Sequence, residues 1–294
     1  MSELIEIPKI PDARGNLSFI ENGDRLPFVM ERCYWIYDVP GGEVRHGHAF
    51  RRQHEMIVAL AGSFDVVLDD GNGPQRYHLA RSYYGLYVPP MTWRMIDNFS
   101  TCSVAMVLSS TTYEADDYIE DYNQFISELS NAEIPALTHN SARVSFPDAI
   151  KTRGHSVSSI NHCGIIELPR HRHPNGSLSV VENTSGCPFE IKRVFYLYDV
   201  PGDSERGGHS HYEAKELIVA VSGSFDVTLD DGHSQHTFTL NRPYRALYVE
   251  EGIWRSLGNF SSGSVCLVLT SHVYDPADYV RDYSLFKHLT AHKI

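Results

Sequence analysis

The residues with the clearest chemical potential lie in one short run, Arg206-Gly-Gly-His209-Ser-His211, which is followed by Glu216. Two histidines spaced two apart on a strand project from the same face, and a glutamate on the neighbouring stretch can join them. An imidazole with an ordinary pKa near 6.5 can take and return a proton at neutral pH. The same three side chains are also metal ligands. The run therefore predicts either proton transfer or metal binding.

A second group of residues distinguishes proton transfer from metal binding. The order His-x-His, then Glu, then Gly resembles the first motif of the cupin superfamily, whose second motif supplies a fourth ligand, a histidine, in its metal-binding members. Here Arg255 stands at that position, and Arg94 stands at the matching position of an earlier run. A guanidinium keeps its proton, offers no lone pair to a metal and repels the ion. We therefore predict no metal and no other cofactor, and the arginines suit an anionic substrate.

An internal repeat organises the chain. Residues 4–126 align with residues 165–287 at a constant shift of 161, and 54 of the 123 paired positions are identical. The sequence predicts an N-terminal domain over 1–126, a connector over 127–164 and a C-terminal domain over 165–294.

The two copies differ at the histidine pair. His48 matches His209, but Phe50 stands where the second copy has His211, and His54 is too far along the strand to replace it. We predict an intact site in the second copy and a degenerate or binding-only site in the first, with His54 at the surface.

Both copies have the pattern of β structure. Short runs rich in Val, Ile, Tyr and Phe, such as 34–39, 56–60, 63–68 and 104–108, are separated by turn residues. Asp69-Asp70-Gly71 and its counterpart at 230–232 predict hairpin turns. Helical spacing of apolar residues over 116–128 and 277–289 predicts a short helix closing each copy. The predicted fold class is all-β, with two tandem cupin jelly-roll barrels.

Composition excludes several classes of protein. The formal net charge of −12 disfavours nucleic acid and anionic membranes as partners. The sequence has neither a signal-peptide pattern nor an apolar run long enough to span a bilayer, so we expect a soluble, cytoplasmic protein. Five cysteines without CxxC spacing predict reduced thiols and no disulfide framework.

Several motifs together carry a family resemblance. The segments YDVPG, RGGHSH, GSFDV, GLYVPPMTW and the closing Tyr and Asp-Tyr pattern resemble the dTDP-4-keto-6-deoxyglucose 3,4-ketoisomerases, cupin enzymes of deoxysugar biosynthesis. The resemblance covers both copies. It implies a dTDP-sugar substrate and no metal. Because members usually have one cupin per chain and work as dimers, it also implies that the tandem is a covalent pseudo-dimer, with a further homodimer left open.

The resemblance implies a mechanism in which a base removes the C3 proton, an enediolate forms, and a proton returns to C4. By position, we expect His211 to be the base, His209 its partner, and Tyr198 to orient the sugar or shuttle a proton. The residues expected to bind substrate in the two copies are Arg206, Arg255, Trp254, Glu216, Tyr37, Arg45, His48 and Arg94.

Other interpretations remain open at this point. The arginines at 206 and 45 can pair with carboxylates instead of substrate, and the tryptophans and tyrosines can be core residues. The alternative functions are a related cupin sugar epimerase, or a non-catalytic bicupin that binds a metal or a sugar. The C4 configuration of the product and the identity of the nucleotide are not readable from these residues.

Overall fold

The computed structural model describes residues 1–131, 159–183 and 185–291. Two short helices close the two copies, α1 (Tyr122–Asn131) and α2 (Tyr283–Ala291), and three short 3₁₀ turns lie at Ala115–Asp117, Ile160–His162 and Pro276–Asp278. The remaining elements of the described residues are strands. Neither helix is long and apolar enough to cross a bilayer, in the parts of the chain that the structure describes.

The first copy contributes twelve strands: β1 (Glu3–Glu6), β2 (Lys9–Ile10), β3 (Asn16–Glu21), β4 (Arg32–Tyr37), β5 (Arg45–Phe50), β6 (Glu55–Ala61), β7 (Phe64–Asp69), β8 (Gln75–Leu79), β9 (Tyr84–Val88), β10 (Trp93–Asp97), β11 (Val104–Ser109) and β12 (Tyr118–Ile119). The second copy repeats the pattern: β13 (Gly164–Glu167), β14 (Arg170–His173), β15 (Gly176–Glu182), β16 (Arg193–Tyr198), β17 (Arg206–His211), β18 (Glu216–Ser222), β19 (Phe225–Asp230), β20 (Gln235–Leu240), β21 (Arg245–Val249), β22 (Trp254–Gly258), β23 (Val265–Thr270) and β24 (Tyr279–Val280).

Each barrel consists of a seven-stranded and a five-stranded antiparallel sheet. The orders in the first copy's barrel are β1-β9-β6-β11-β4-β15-β14 and β12-β5-β10-β7-β8. The orders in the second are β13-β21-β18-β23-β16-β3-β2 and β20-β19-β22-β17-β24. Side chains of the two sheets meet in an apolar core inside each barrel. The two barrels confirm the all-β, two-cupin prediction.

The two copies exchange strands. β3 of the first copy pairs with β16 of the second, and the equivalent β15 of the second pairs with β4 of the first. A third apolar core, between the two seven-stranded sheets, holds Trp35 and Met106 against Tyr196 and Leu267. The barrels are therefore one continuous structure, as a covalent pseudo-dimer requires.

Alternation along β16 sorts its side chains between two surroundings. Val194, Tyr196 and Tyr198 face the core between the copies. Arg193, Phe195 and Leu197 face a cavity inside the second barrel. This single strand therefore serves both the interface and the candidate site.

The helices begin later than the sequence pattern predicts. The sequence predicts helices over 116–128 and 277–289. In each of these stretches the first residues instead form a 3₁₀ turn and a two-residue strand, and these strands, β12 and β24, pair with β5 and β17. The helices themselves start at Tyr122 and Tyr283. Both hairpin turns are confirmed, because β7–β8 and β19–β20 pair directly around them. Most of the predicted connector lies outside the described residues.

Candidate active site

A cavity of about 370 Å³ opens inside the second barrel. Its lining comes from both copies, because the exchanged segment carries Ile10, Arg14, Leu17 and Phe19 of the first copy into its wall. The second copy supplies the remaining lining residues, which include His209 and Arg255. The cavity is therefore completed by strand exchange.

His209 lines this cavity and has one ring nitrogen without a hydrogen-bond partner among the described residues. The pairing of β17 with β22 shifts register between Arg206 and His209, where Gly207 and Gly208 have φ of +88° and +51°. A side chain at Gly207 would lie 2.8 Å from Leu257, so the irregular backbone requires glycine there. His209 Nδ1 is 2.7 Å from the Gly207 carbonyl oxygen, which makes Nδ1 the protonated nitrogen. Nε2 is buried and has no hydrogen-bond partner among the described residues, so its lone pair is available to a ligand.

His211 is held on both of its nitrogens. Nδ1 lies 2.9 Å from the Asp278 carboxylate, and Nε2 lies 3.2 Å from Arg255 Nη2 and 3.4 Å from Glu216. Arg255 also binds Glu216 through both Nη2 and Nε. The part of the cavity wall that the structure describes does not include His211. His211 is thus a member of a buried charge network behind His209, with the two rings 5.0 Å apart and nearly perpendicular.

The surroundings set the protonation of these groups. Burial lowers the pKa of His209 well below its ordinary value, and the charges of Arg255 and His211 lower it further. Burial raises the pKa of the Glu216 carboxyl, but Arg255 and the hydrogen bond from His211 outweigh this and bring it to about 2. Burial raises the pKa of Asp278, but His211 and the backbone N–H groups of Glu213 and Ala214 together outweigh this, so the net change is a decrease. His209 is therefore a neutral base at neutral pH, and the nearby carboxylates of Glu216 and Asp278 are ionised.

The pH dependence of catalysis follows from the pKa of His209. A base must be unprotonated, and a pKa below 6.5 keeps His209 unprotonated from neutral pH downward until that lowered value is reached. We expect kcat/KM to stay level from pH 8 to pH 6.5 and to fall only at lower pH. Measurement of kcat/KM from pH 4.5 to pH 8 checks this, and an acid limb centred above pH 6.5 would contradict it.

The cavity is strongly basic. Its described lining residues include five arginines and no Asp or Glu; the arginines are Arg14, Arg193, Arg206, Arg255 and Arg281. Such a concentration of cations in a chain of net charge −12 favours a small anion with several charges over a neutral ligand.

Arg206 and Arg14 meet at the cavity across the copy boundary. Arg206 Nη1 donates to the Gly15 carbonyl at 3.0 Å and lies 3.6 Å from Asp12. Asp12 also binds the guanidinium of Arg14, at 2.8 Å. Arg206 therefore has the structural contacts that the alternative interpretation expected, and it also lines the cavity.

The described linings of the two barrel cavities do not include Tyr198 or Tyr37, which the sequence had placed at the sites. Tyr198 lies in the core between the copies with its hydroxyl 3.1 Å from Ser18, and Tyr37 contacts Ser179 in the equivalent way. The reason is strand alternation, which directs residue 198 to the face opposite residues 195 and 197. Tyr274 and Tyr279 line the cavity of the second barrel instead, and the ring of Tyr279 lies 4.7 Å from that of His209.

Trp254 is also placed elsewhere. Its ring packs 5.0 Å from Tyr283 and 5.5 Å from Phe286 of α2, and Trp93 packs on Tyr122 and Phe125 of α1 in the same way. Both tryptophans therefore fasten a helix to a barrel, which is the core role that the sequence left open, and the described cavity linings do not include Trp254.

Three side chains lie close enough together to hold a metal ion. Ligand atoms of His209, His211 and Glu216 all fall within 4.8 Å of one another. However, the guanidinium of Arg255 binds Glu216 and contacts His211 Nε2, so two of the three donors already face a permanent cation. The donor set fits a charge network better than a metal ion.

The first barrel contains a second cavity, of about 610 Å³. It is lined by His48, Arg45 and Arg94 of the first copy, among others. By strand exchange the second copy adds Pro169, His171, His173, Asn175, Leu178, Val180, Glu182 and Ser185. Arg45 donates to Asn175 and Gly176, and Arg94 binds the buried Glu55. Phe50 occupies the position of His211, as the sequence indicates. His54 is half-buried and bonds Tyr87, outside this cavity.

Sequence reasoning missed several residues of the site. Asp278 and Tyr279 lie in the closing Asp-Tyr pattern, which was visible in both copies but suggested no role. Arg193 and Arg281 flank Tyr279, since Arg193 donates to its hydroxyl and Arg281 stacks on its ring. Arg14 carries no local signal, because only strand exchange brings it to the cavity.

Comparison with known proteins gives consistent matches to each copy. The sequence model of the FdtA family, described as WxcM-like, C-terminal, matches residues 1–130 and 161–291. The TDP-4-oxo-6-deoxy-alpha-D-glucose-3,4-oxoisomerase of Aneurinibacillus thermoaerophilus is 41% identical over 123 residues, which are 42% of this chain and 88% of the relative.

Solved structures match one copy as well. The WlaRB TDP-quinovose 3,4-ketoisomerase of Campylobacter jejuni is 41% identical, covering 44% of this chain and 99% of that one, with a TM-score of 0.43. A variant of the 3,4-ketoisomerase QdtA from Thermoanaerobacterium thermosaccharolyticum, in complex with TDP-4-keto-6-deoxyglucose, is 30% identical, covering 45% and 96%, with a TM-score of 0.44.

Proposed function

This chain belongs to the FdtA family, WxcM-like, C-terminal, and on that premise we propose that it is a nucleotide-sugar 3,4-ketoisomerase whose working site is the cavity of the second barrel. The substrate class is a dTDP-linked 4-keto-6-deoxyhexose, the class on which the 41% identical relative acts by its name. The product is the corresponding 3-keto sugar.

One observation carries this proposal. His209, a neutral base whose Nε2 has no hydrogen-bond partner among the described residues, lines a cavity whose described lining has five arginines and no carboxylate. A neutral base is what removal of a proton beside a ketone requires, and surrounding cations stabilise both the diphosphate and the enediolate that forms.

We propose roles for the two histidines that differ from those expected by position. His209 takes the C3 proton, because its Nε2 is the unpartnered nitrogen at the cavity. The C–H electron pair becomes the double bond of the enediolate, and Arg255 lies beside the developing oxyanion. A proton then reaches C4 from the side of His211 and Asp278, which lie behind the cavity wall. The C3 hydroxyl proton passes to O4 as the carbonyl forms at C3, and the proton taken by His209 replaces the one delivered to C4. Atoms and electrons balance without an oxidant or a cofactor.

Arg14 gives a test of the shared cavity. Arg14→Gln removes one cation supplied by the first copy, so we expect KM for the nucleotide sugar to rise about tenfold, the effect of losing one charge-assisted hydrogen bond, with kcat changed less than about twofold. Arg242→Gln removes an exposed arginine outside the cavity and is the matched control. An unchanged KM in Arg14→Gln would mean that the exchanged segment does not bind substrate.

Conversion of dTDP-4-keto-6-deoxyglucose by the purified chain tests the function itself. Carbon NMR is expected to show the carbonyl moving from C4 to C3. A product that keeps its carbonyl at C4 would identify an epimerase instead, and absence of any product, with stoichiometric metal in the protein, would favour a metal-binding bicupin.

A further inference from the structure

The first copy preserves the shape of the second copy's site at the position where it loses a histidine. The rings of His48 and Phe50 are 4.9 Å apart at 85°, against 5.0 Å and 88° for His209 and His211. Tyr118 packs on both rings of the first pair, as Tyr279 does on the second. The substitution therefore removes two nitrogen atoms and leaves the arrangement of rings in place.

A second substitution returns a polar group to the same network. Tyr34 stands where the second copy has Phe195. Its hydroxyl accepts from Arg94 Nη2 at 2.7 Å and donates to Glu55 at 2.8 Å. In the second copy, Arg255 Nη2 contacts His211 and Glu216 instead. Compared with the second copy, the differences at residues 34 and 50 thus place one polar group on β4 instead of β5. The buried Arg–Glu pair therefore has a hydrogen-bond partner in both copies.

The base is also retained. His48 Nε2 is buried without a hydrogen-bond partner among the described residues, and His48 lines the cavity. Burial lowers the pKa of His48 well below its ordinary value, and Arg94 lowers it further. Burial raises the pKa of Tyr34 well above its ordinary value, so the phenol stays protonated. A neutral base and a tyrosine whose protonated hydroxyl bridges Arg94 and Glu55 therefore line one cavity.

The cavity has its own recognition surface. Its described lining has three arginines, Arg32, Arg45 and Arg94, and one carboxylate, Glu182, which lies 3.5 Å from Arg32. The exchanged segment of the second copy also adds His171 and His173. The working cavity has Arg14 in its wall where this cavity has Asn175. The surface remains basic but offers imidazoles and an amide where the other offers a guanidinium.

We propose that the N-terminal cavity is a second proton-transfer site for a nucleotide-linked keto sugar, with His48 as its base and the Tyr34 hydroxyl in place of the second imidazole. His48 takes the proton from the carbon beside the ketone, and the electron pair enters an enolate whose oxygen faces Tyr34 and Arg94. The proton returns to the same carbon, because Phe50 offers no relay to the neighbouring carbon. The carbonyl stays in place and the site exchanges that one hydrogen. The identity of the sugar rests on the proposed function.

The test uses the full chain with the C-terminal base removed. The His209→Asn chain is incubated with dTDP-4-keto-6-deoxyglucose in D₂O, and deuterium at C3 of the 4-keto sugar is followed by NMR. We expect incorporation at least tenfold faster than without protein, and a return to that background when His48→Asn or His48→Gln is added. Tyr34→Phe in the His209→Asn chain is expected to slow incorporation about tenfold while leaving the carbonyl at C4.

Equal incorporation by His209→Asn chains with and without His48 would overturn the proposal, as would no incorporation above the protein-free rate. The unaltered chain keeps this failure distinct from failure of the proposed function. If it forms 3-keto sugar while the His209→Asn chain exchanges nothing, only the second site is refuted.

Discussion

Replacing His209 by asparagine is expected to lower the rate of 3-keto sugar formation about 10³-fold, within the range that a positioned general base contributes. The reason is geometric, because His209, unlike His211, lines the described cavity and has a nitrogen without a hydrogen-bond partner, and asparagine cannot accept the C3 proton. Nucleotide affinity should change little, since the arginines around the cavity remain. Initial rates by NMR and a TDP titration measure the two effects.

The control for this variant is His236→Asn, which alters an exposed histidine on β20 and should leave the rate unchanged. His48→Asn, at the equivalent position of the first copy, is expected to lower 3-keto formation less than tenfold, since its barrel lacks the second imidazole. If His48→Asn and His209→Asn lowered the rate equally, the two copies would both be isomerase sites.

Replacing His211 by asparagine is expected to lower 3-keto formation about 10²-fold, because the proton relay to C4 is lost while the C3 base remains. Asp278 holds His211 Nδ1 at 2.9 Å, so Asp278→Asn should lower the rate in the same direction. Since the two residues act as a unit, the double variant should be no slower than His211→Asn alone. Rates that multiply in the double variant would show that Asp278 acts independently of His211.

Much of the fold was predictable because the repeat and the alternating apolar runs are properties of local sequence. The strands predicted at 34–39, 56–60 and 104–108 occur within two residues of their expected bounds. The sequence also predicted that Arg255 lies beside His209, His211 and Glu216, because it stands at the fourth ligand position of the cupin motifs. The helix starts were not, because the apolar residues before Tyr122 and Tyr283 pair with β5 and β17 instead of continuing a helix.

The roles within the site depend on contacts between distant parts of the chain. Both histidines share one strand and one spacing, so their order could not show which nitrogen is free. The free nitrogen is identified by two contacts in the structure: Asp278, 67 residues from His211, binds that histidine, and β17 pairs irregularly at Gly207 beside His209. Strand exchange likewise brings Arg14 to the other copy's cavity and turns Tyr198 away from it. Sequence spacing alone predicts neither the placement of Arg14 nor the orientation of Tyr198.

The most direct test of the central claim, that His209 is the base and His211 the relay, is the position of deuterium after reaction in D₂O. His48→Asn silences the N-terminal cavity, and His209→Asn or His211→Asn is added to it. With dTDP-4-keto-6-deoxyglucose, we predict that the chain lacking His211 still places deuterium at C3 without moving the carbonyl, and that the chain lacking His209 does neither. Deuterium at C3 in the chain lacking His209, and none in the chain lacking His211, would contradict the assignment.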